Sequence, residues 1–437
     1  MLRVHRALLV PALCFASFAN AQESYKLPPK EVVQLLEAPT TPSVRPSPDA
    51  KWLLLVERPP LPSIADVTRP WIGLAGLRVD PKAHALQEIG FDSAITLRSL
   101  DGTRTRKLDF PAGARIQGVD WSHTSRALFA LLRADDGVEL WFCDVESAKP
   151  VRIATRVNTV FGAPTWLPDG ERLLVPLVPD SARDLPPDAT VPTGPTTMES
   201  KGKKSPVRTY PDLLRDEHDA QLLEHFALTQ LAIVDPRKGT TTRVGAASEI
   251  LDTRPSPDGK HLLVRILQRP FSYVLPLDLF PGRLEIWDSA TGAREHVFAE
   301  LPLEDSIPID GVSKGPRNVA WNPNAPATLV WVEALDGGDP KAKADHRDRW
   351  MTRAVPFTAE PVELLRTQFR ARGLQWLADP SSVLAAEYDR DRRWQRVTLR
   401  DIGGRKRADV VVEDRSVNDR YGNPGQILTE VRADGTR

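Results

Sequence analysis

The sequence predicts an all-β fold, a β-propeller of four-stranded antiparallel blades with six or more blades present, an incomplete set, and one or two inserted helices. Three observations predict it. One turn motif recurs along the chain, a second hairpin follows each copy, and 40 of the 437 residues are proline while 41% are hydrophobic. Average proline usage is about 5%, so this composition favours many short elements separated by rigid turns. A β-sandwich with many hairpins is the alternative architecture.

The turn motif occurs in two nearly identical copies, RPSPDAKWLLL at Arg45–Leu55 and RPSPDGKHLLV at Arg254–Val264. In Ser256–Gly259, serine suits the first position of a type I turn, proline presets φ at the second, and aspartate and glycine complete the reversal. More divergent copies keep an apolar or aromatic residue before the turn and a short apolar strand after it. The six residues that precede the turn, which we call the anchors, are Pro46, Trp121, Trp166, Pro255, Trp321 and Trp376.

A second hairpin follows each turn, as in GVELWFCDVES (Gly137–Ser147) and RLEIWDSATG (Arg283–Gly292). Each unit therefore contains four antiparallel strands, and such units at intervals of ~40–50 residues are propeller blades. The irregular spacing of the anchors predicts long insertions within or between blades.

The propeller is predicted to span 44–437, with insertions at about 59–86 and 180–231. The preceding segment, 22–43, carries a short helix over KEVVQLLEA (Lys30–Ala38). The second insertion begins as a proline-rich loop and ends in an amphipathic helix over 211–226, for which Pro211 and Asp212 are start signals. Long loops carry function more often than the framework does.

The N-terminus has the pattern of a cleavable secretory signal peptide over 1–21, with Arg3 and Arg6 before a short apolar run. We expect cleavage after Ala21, a periplasmic or secreted location, and no membrane association afterwards. Only one cysteine, Cys143, then remains, so no internal disulfide can form. Because Cys143 lies in an apolar strand, we expect it to be a buried structural thiol.

Charge and motifs exclude several classes of function. Lys plus Arg equals Asp plus Glu at 58 each, so no basic surface for nucleic acid is predicted. The chain lacks a glycine-rich phosphate loop and metal-ligand spacing, and we expect neither a cofactor nor a metal. His218 and His225 are interpreted as part of a solvated helix face. The mixed-charge clusters ADHRDRW (Ala344–Trp350) and YDRDRRW (Tyr388–Trp394) are interpreted as exposed turns.

One stretch, Gly311–Gly315, matches the G-x-S-x-G pattern of a serine nucleophile. A nucleophile elbow must follow a buried strand and open a helix. Here Pro316 comes next and an apolar strand pattern follows. We therefore predict that Ser313 is not a nucleophile and that this chain contains no catalytic residues.

Five stretches in order resemble the N-terminal half of exported serine peptidases of the prolyl oligopeptidase family, in its glutamyl endopeptidase-like branch. The resemblance covers nearly all of the chain after the signal peptide. In that family a propeller caps an α/β-hydrolase domain, restricts access to peptides, and leaves the catalytic serine, aspartate and histidine to the hydrolase domain. The resemblance implies that this domain is absent from the chain, which stops at Arg437. The stretches are LPPKEVVQLLEAP (Leu27–Pro39), VRPSPDAKWLLLVERPPLPSI (Val44–Ile64), RPWIGLAGLRVDP (Arg69–Pro81), SPVRTYPDLL (Ser205–Leu214) and ALDGGDPK (Ala334–Lys341).

The resemblance implies the substrate-gating propeller of a secreted peptidase, inactive alone, whose oligopeptide substrates carry an acidic residue before the cut. Arg69 and Arg78, on the first insertion, are then candidates for binding the substrate carboxylate, because arginine pairs with carboxylates bidentately. The alternative function is a non-enzymatic periplasmic binding propeller with a closed ring. An incomplete ring exposes apolar surface and strand edges, so we also predict poor solubility or a gapped ring.

Overall fold

Within the described residues, six four-stranded antiparallel units follow one another along the chain, and each forms one blade of a propeller; four are separate sheets and two are joined in a seven-stranded sheet. The predicted all-β propeller is therefore confirmed. The predicted signal peptide at 1–21 lies outside the described part of the chain. The computed structural model describes residues 28–182, 184–187, 209–405, 407–425 and 427–432.

Blades 1 and 2 are separate sheets, and the first insertion leaves blade 1 between its second and third strands. After helix α1 (Lys30–Leu36), blade 1 and its insertion comprise β1 (Ser43–Pro46), β2 (Trp52–Glu57), α2 (Ile64–Val67), β3 (Ile72–Leu74), β4 (Leu77–Asp80), β5 (Ala85–Leu86), β6 (Ala94–Ser99) and β7 (Thr105–Lys107). β3–β5 form a small sheet of their own. Blade 2 comprises β8 (Ile116–Trp121), β9 (Ala127–Arg133), β10 (Val138–Asp144) and β11 (Pro150–Ala154).

Blades 3 and 4 share one strand and form a continuous seven-stranded sheet. The elements are β12 (Thr165–Trp166), β13 (Leu173–Leu177), α3 (Glu217–Ala227), β14 (Leu228–Asp235), β15 (Thr240–Pro255), β16 (His261–Leu267), β17 (Gly282–Asp288) and β18 (Arg294–Leu301). The first half of β15 pairs with β14, and its second half pairs with β16. β15 is therefore the last strand of blade 3 and the first strand of blade 4.

Blades 5 and 6 are again separate sheets. They comprise β19 (Arg317–Trp321), β20 (Thr328–Ala334), β21 (Asp348–Ala354), β22 (Val362–Thr367), β23 (Arg370–Trp376), β24 (Ser382–Asp389), β25 (Trp394–Asp401) and β26 (Val410–Ser416). Within the described residues, no strand of blade 6 pairs with a strand of blade 1. The poor solubility or gapped ring expected from the sequence stays a prediction.

The hydrophobic core lies between successive blades, as expected for sheets that stack face to face. Each pair of neighbouring blades shares one buried cluster, for example Leu54 of blade 1 with Leu128 of blade 2, and Val332 of blade 5 with Val383 of blade 6. The first strands converge on a shared channel, since the anchors Pro46, Trp121, Trp166 and Pro255 line one cavity. The first strand of each blade is therefore its inner strand.

The repeated turns have the predicted geometry. In blade 4, Gly259 N donates to Ser256 O at 2.8 Å, and Gly259 has a φ of +68°. The Ser256 hydroxyl donates to Asp258 at 2.6 Å and accepts from His261 N at 3.0 Å. The serine and the aspartate of the motif are therefore turn residues, whose side chains are engaged in local hydrogen bonds.

The arginine and tryptophan beside the turns join blades in a reciprocal pair of hydrogen bonds, which we call the Arg–Trp clasp. Between blades 4 and 5, Arg254 Nη1 donates to Val319 O at 3.2 Å and Trp321 Nε1 donates to Arg254 O at 3.0 Å. Between blades 1 and 2, the same pattern joins Arg45 and Trp121. The nearly identical sequence copies thus mark two equivalent blade contacts.

Candidate functional site on the loop face

The two ends of the blades differ in loop length. Because neighbouring strands are antiparallel, the turns after the first and third strands of a blade lie at one end, which we call the turn face. Loops between second and third strands, and connections between blades, lie at the other end, the loop face. The long segments begin and end on the loop face: 58–93, 178–227, 268–281, 302–316 and 335–347.

Three of these segments pack into a second layer, the loop layer, which consists of 72–86, 210–227 and 271–280. Leu277 N donates to Ala75 O at 2.8 Å, and Gly76 N donates to Asp212 O at 2.9 Å. Leu251 of β15 packs in the same apolar cluster, so the layer rests on the inner strand of blade 4. The cluster includes Leu74, Val79, Leu214, Leu223, Phe226, Leu277 and Phe280.

The predicted helix of the second insertion begins later than the sequence suggested. It starts at Glu217 instead of Pro211, because the Asp216 side chain accepts from Asp219 N and caps the helix there. Asp212 has a φ of +53° and serves tertiary contacts instead. Leu214 lies before the helix and is still buried in the loop layer.

Arg69 is held by carboxylates of this chain. Its Nε donates to Asp80 Oδ2 at 2.9 Å, its side chain is only 15% exposed, and it also contacts Asp135. Asp80 in turn pairs with the buried Arg133 at 3.2 Å. The Arg69 guanidinium is therefore part of an internal network at the edge of the loop layer.

Arg78 is the more accessible of the two candidate arginines. Its Nε donates to Asp212 Oδ2 at 2.9 Å, and its side chain remains 54% exposed. The guanidinium carbon lies 4.4 Å from the centre of the Trp71 ring, a cation–π contact. These contacts fix Arg78 on the loop face with part of its guanidinium facing solvent.

A buried charge network that the sequence did not predict joins blades 5 and 6 at the loop face. Asp348 is fully buried and accepts from Arg317 Nη2 at 2.6 Å, Arg370 Nη1 at 2.9 Å and Ala371 N at 2.8 Å. Arg370 also reaches Asp336 at 2.6 Å. The interpretation of 344–350 as an exposed turn is therefore wrong for Asp348, which begins β21 and is placed by strand pairing.

His225 also differs from its predicted solvated position. Its ring centre lies 5.1 Å from that of His84, which is 4% exposed on the first insertion. Neither His84 Nδ1 nor His225 Nε2 has a hydrogen-bond partner, although both atoms are buried. Burial, then repulsion from His225 and Arg156, lowers the pKa of His84 to about 3. Sequence spacing could not reveal this pair, because its members are 141 positions apart.

The remaining candidates have structural surroundings. Ser313 lies in the connection from β18 to β19, where its hydroxyl donates to Glu304 at 2.6 Å, and a strand follows instead of a helix. Cys143 is the buried thiol that was predicted, and burial, then the Asp144 charge, raises its pKa to about 12. Searching the described ranges reveals no cluster of three His, Cys, Asp or Glu side chains that could hold a metal ion. Nor is any described helix long and apolar enough to span a membrane.

Comparison with known proteins finds similarity over nearly the whole chain, although no family model matches. The probable chloroplastic glutamyl endopeptidase of Oryza sativa subsp. japonica is 32% identical over 442 residues, which cover 96% of this chain and 46% of the relative. The Arabidopsis thaliana protein of the same description is 32% identical over 431 residues, covering 94% and 44%. The chain thus spans about half the length of the curated relatives it matches.

Among solved structures, the β-propeller domain of the Trilobed protease from Pyrococcus furiosus is similar over 83% of this chain and 81% of that domain. The sequence identity is 10% and the TM-score is 0.40.

Proposed function

Because this chain is a propeller of the prolyl oligopeptidase family, in its glutamyl endopeptidase-like branch, we propose that it forms the substrate-gating part of a serine peptidase acting on oligopeptides. The observation that carries the proposal is 32% identity sustained over 96% of the chain to a probable glutamyl endopeptidase. On this proposal the catalytic serine, aspartate and histidine belong to an α/β-hydrolase domain, and the propeller alone is inactive. We further propose export through the N-terminal signal peptide to the periplasm or the exterior.

The geometry that supports gating is the asymmetry between the two faces. The turn face carries short turns, whereas the loop face carries the loop layer, whose three segments pack together in one apolar cluster. A propeller face built in this way can exclude folded proteins from a neighbouring active site and admit extended peptides.

The test is a chimera of the rice relative in which the matched segment is replaced by residues 28–432 of this chain. We expect the chimera to hydrolyse short fluorogenic peptides with glutamate before the cut, and to leave a folded protein substrate intact. The unmodified rice protein and a chimera with an inactivated hydrolase domain are the controls. A soluble chimera that hydrolyses neither peptide nor protein would favour a non-enzymatic binding propeller. One that degrades folded protein as fast as peptide would contradict gating.

Arg78 and Arg69 are proposed to bind the acidic side chain of the substrate. In the chimera, Arg78→Ala is expected to raise KM about two- to fivefold for a glutamate peptide, since exposed ion pairs contribute about 0.2–1 kcal/mol. KM for the matched glutamine peptide should not change. Arg69→Ala is expected to raise the same KM and also lower the melting temperature, because the buried Asp80 loses a partner.

The matched control for both substitutions is Arg243→Ala, which removes an exposed arginine from the outer part of blade 3. Equal changes in KM for the glutamate and glutamine peptides would rule out carboxylate recognition by these arginines.

A further inference from the structure

A cavity of about 500 Å³ lies between blades 4 and 5. Its walls combine apolar side chains, including Leu263, Leu284 and Val319, with charged and polar ones. It extends to the loop face, because Glu304 and Ser313 of the connection between these blades also line it. Its size is typical of ligand sites, which measure about 300–1,000 Å³.

Three arginines face this cavity, and two of them have carboxylate partners. Arg254 pairs with Asp252 at 2.8 Å, and Arg317 pairs with the buried Asp348 at 2.6 Å. Arg265 forms no ion pair with any described residue, and its Nε is buried without a hydrogen-bond partner. The cavity therefore contains one guanidinium whose charge is not neutralised by direct contact.

The other carboxylates near Arg265 are accounted for. Asp252 is taken by Arg254, and Glu304 accepts from the Ser313 hydroxyl at 2.6 Å. Asp278 is exposed to solvent at the rim. Burial lowers the pKa of Arg265, whereas the more distant charges of Asp278 and Asp252 oppose that effect. The guanidinium stays charged in this cavity, because arginine is not deprotonated in proteins.

Arg265 occupies a position of β16 that would ordinarily hold an apolar residue. The side chains on the same side of β16 are both buried: Leu263 lies between blades 4 and 5, and Leu267 packs against the loop layer. The neighbouring strand has glycine at 282, where a Cβ would lie 3.1 Å from Ile266 O and 3.5 Å from Arg265 Nε. The guanidinium is partly buried and its buried Nε has no partner, so a bound anion would supply the missing acceptor.

We propose that the cavity between blades 4 and 5 binds a carboxylate of a peptide, with Arg265 as the residue that pairs with it. The carboxylate is either an acidic side chain or a peptide C-terminus, and the apolar walls hold the neighbouring peptide. This proposal rests on the proposed function in that it takes the ligand to be a peptide. It assigns carboxylate recognition to a residue of the blade framework, separate from Arg69 and Arg78.

The test measures equilibrium binding of three tetrapeptides to the purified chain by isothermal titration calorimetry. Acetyl-Ala-Ala-Glu-Ala-amide carries a side-chain carboxylate, acetyl-Ala-Ala-Gln-Ala-amide carries none, and the same glutamine peptide with a free C-terminus carries a terminal one. We expect one of the two carboxylate peptides to bind about ten- to a hundredfold more tightly than the neutral peptide, because a hydrogen bond between charged groups increases affinity by about this factor. Which of them does so identifies the source of the carboxylate.

Arg265→Met should abolish this preference, and Arg265→Lys should keep a reduced one, because lysine retains the charge and loses the bidentate geometry. Arg243→Met, which removes an exposed arginine, should leave the preference unchanged. The melting temperature of Arg265→Met should be equal or higher, because a partly buried, unpaired charge is replaced by an apolar side chain.

Equal affinity of the wild-type chain for all three peptides would overturn the proposal. A preference for a carboxylate peptide that survives in Arg265→Met would also overturn it. The same holds if the melting temperature falls in Arg265→Met while Arg265→Lys binds the peptides like the wild type. These outcomes are separate from those of the chimera, which measures hydrolysis. An inactive chimera with Arg265-dependent binding contradicts the peptidase function alone, whereas an active chimera without such binding contradicts this site alone.

Discussion

Replacing Asp348 by Asn is expected to lower the free energy of unfolding by about 3–5 kcal/mol, the cost typical of breaking a buried ion pair. Asp348 is fully buried, and its two oxygens accept from Arg317, Arg370 and the backbone of Ala371. Asparagine has nearly the same shape, but it leaves the two guanidinium groups without this negative charge. Urea denaturation followed by tryptophan fluorescence measures the effect.

The control for this prediction is Asp345→Asn, an exposed aspartate three positions earlier, which should change the free energy of unfolding by less than about 0.5 kcal/mol. The double variant Asp348→Asn with Arg317→Met should be more stable than Asp348→Asn alone, because one uncompensated charge is also removed. Similar urea midpoints for Asp348→Asn and Asp345→Asn would mean that the network does not hold blades 5 and 6 together.

Acidification from pH 6.5 is expected to destabilise the chain through His84. The ordinary pKa of histidine is 6.5, and in the folded chain the pKa of His84 falls to about 3. Below pH 6.5, His84 is therefore protonated in the unfolded chain but stays neutral in the folded chain. The free energy of unfolding consequently falls as the pH is lowered to about 3. The loss is about 1.4 kcal/mol per pH unit, or about 2 kcal/mol at pH 5. Above pH 6.5, His84 does not make the free energy of unfolding depend on pH.

His84→Asn isolates this effect, because asparagine does not titrate and tolerates the positive φ of 45° at this position. Between pH 7 and pH 5, the variant should lose less stability than the wild type by about 2 kcal/mol. Titrating carboxylates affect both proteins alike and cancel in the comparison. His346→Asn, which removes an exposed histidine, should retain the wild-type pH dependence, and parallel curves for His84→Asn and the wild type would refute a buried neutral His84.

The fold could be predicted from the sequence because each blade begins with a turn whose residue types are recognisable locally. The hydrogen bonds of the Ser256 hydroxyl and the Ser256–Gly259 reversal form within six residues, so the motif alone predicts the turn. Helix α3 was placed on its periodicity, whereas its start depends on the side-chain cap at Asp216. The predicted start at Pro211 was wrong, because Asp212 is engaged by the loop layer.

The charged sites could not be predicted in the same way, because each is assembled from distant parts of the chain. Asp348 reads as one charge among several in a polar cluster until β21 pairs with its neighbours and buries it. Arg265 sits in an apolar strand pattern, and only the stacking of blades 4 and 5 reveals its unpaired guanidinium. Arg69 and Arg78 were predicted as candidates because they lie on the first insertion. Their carboxylate partners, Asp80 and Asp212, are revealed only by the tertiary structure.

The Arg–Trp clasp gives the propeller a regularity longer than one blade. It occurs between blades 1 and 2 and again between blades 4 and 5, and the anchors run Pro, Trp, Trp, Pro, Trp, Trp along the six blades. The pattern of the inner strands therefore repeats after three blades instead of after one. The second set of three begins within β15, where the last strand of blade 3 runs without a break into the first strand of blade 4.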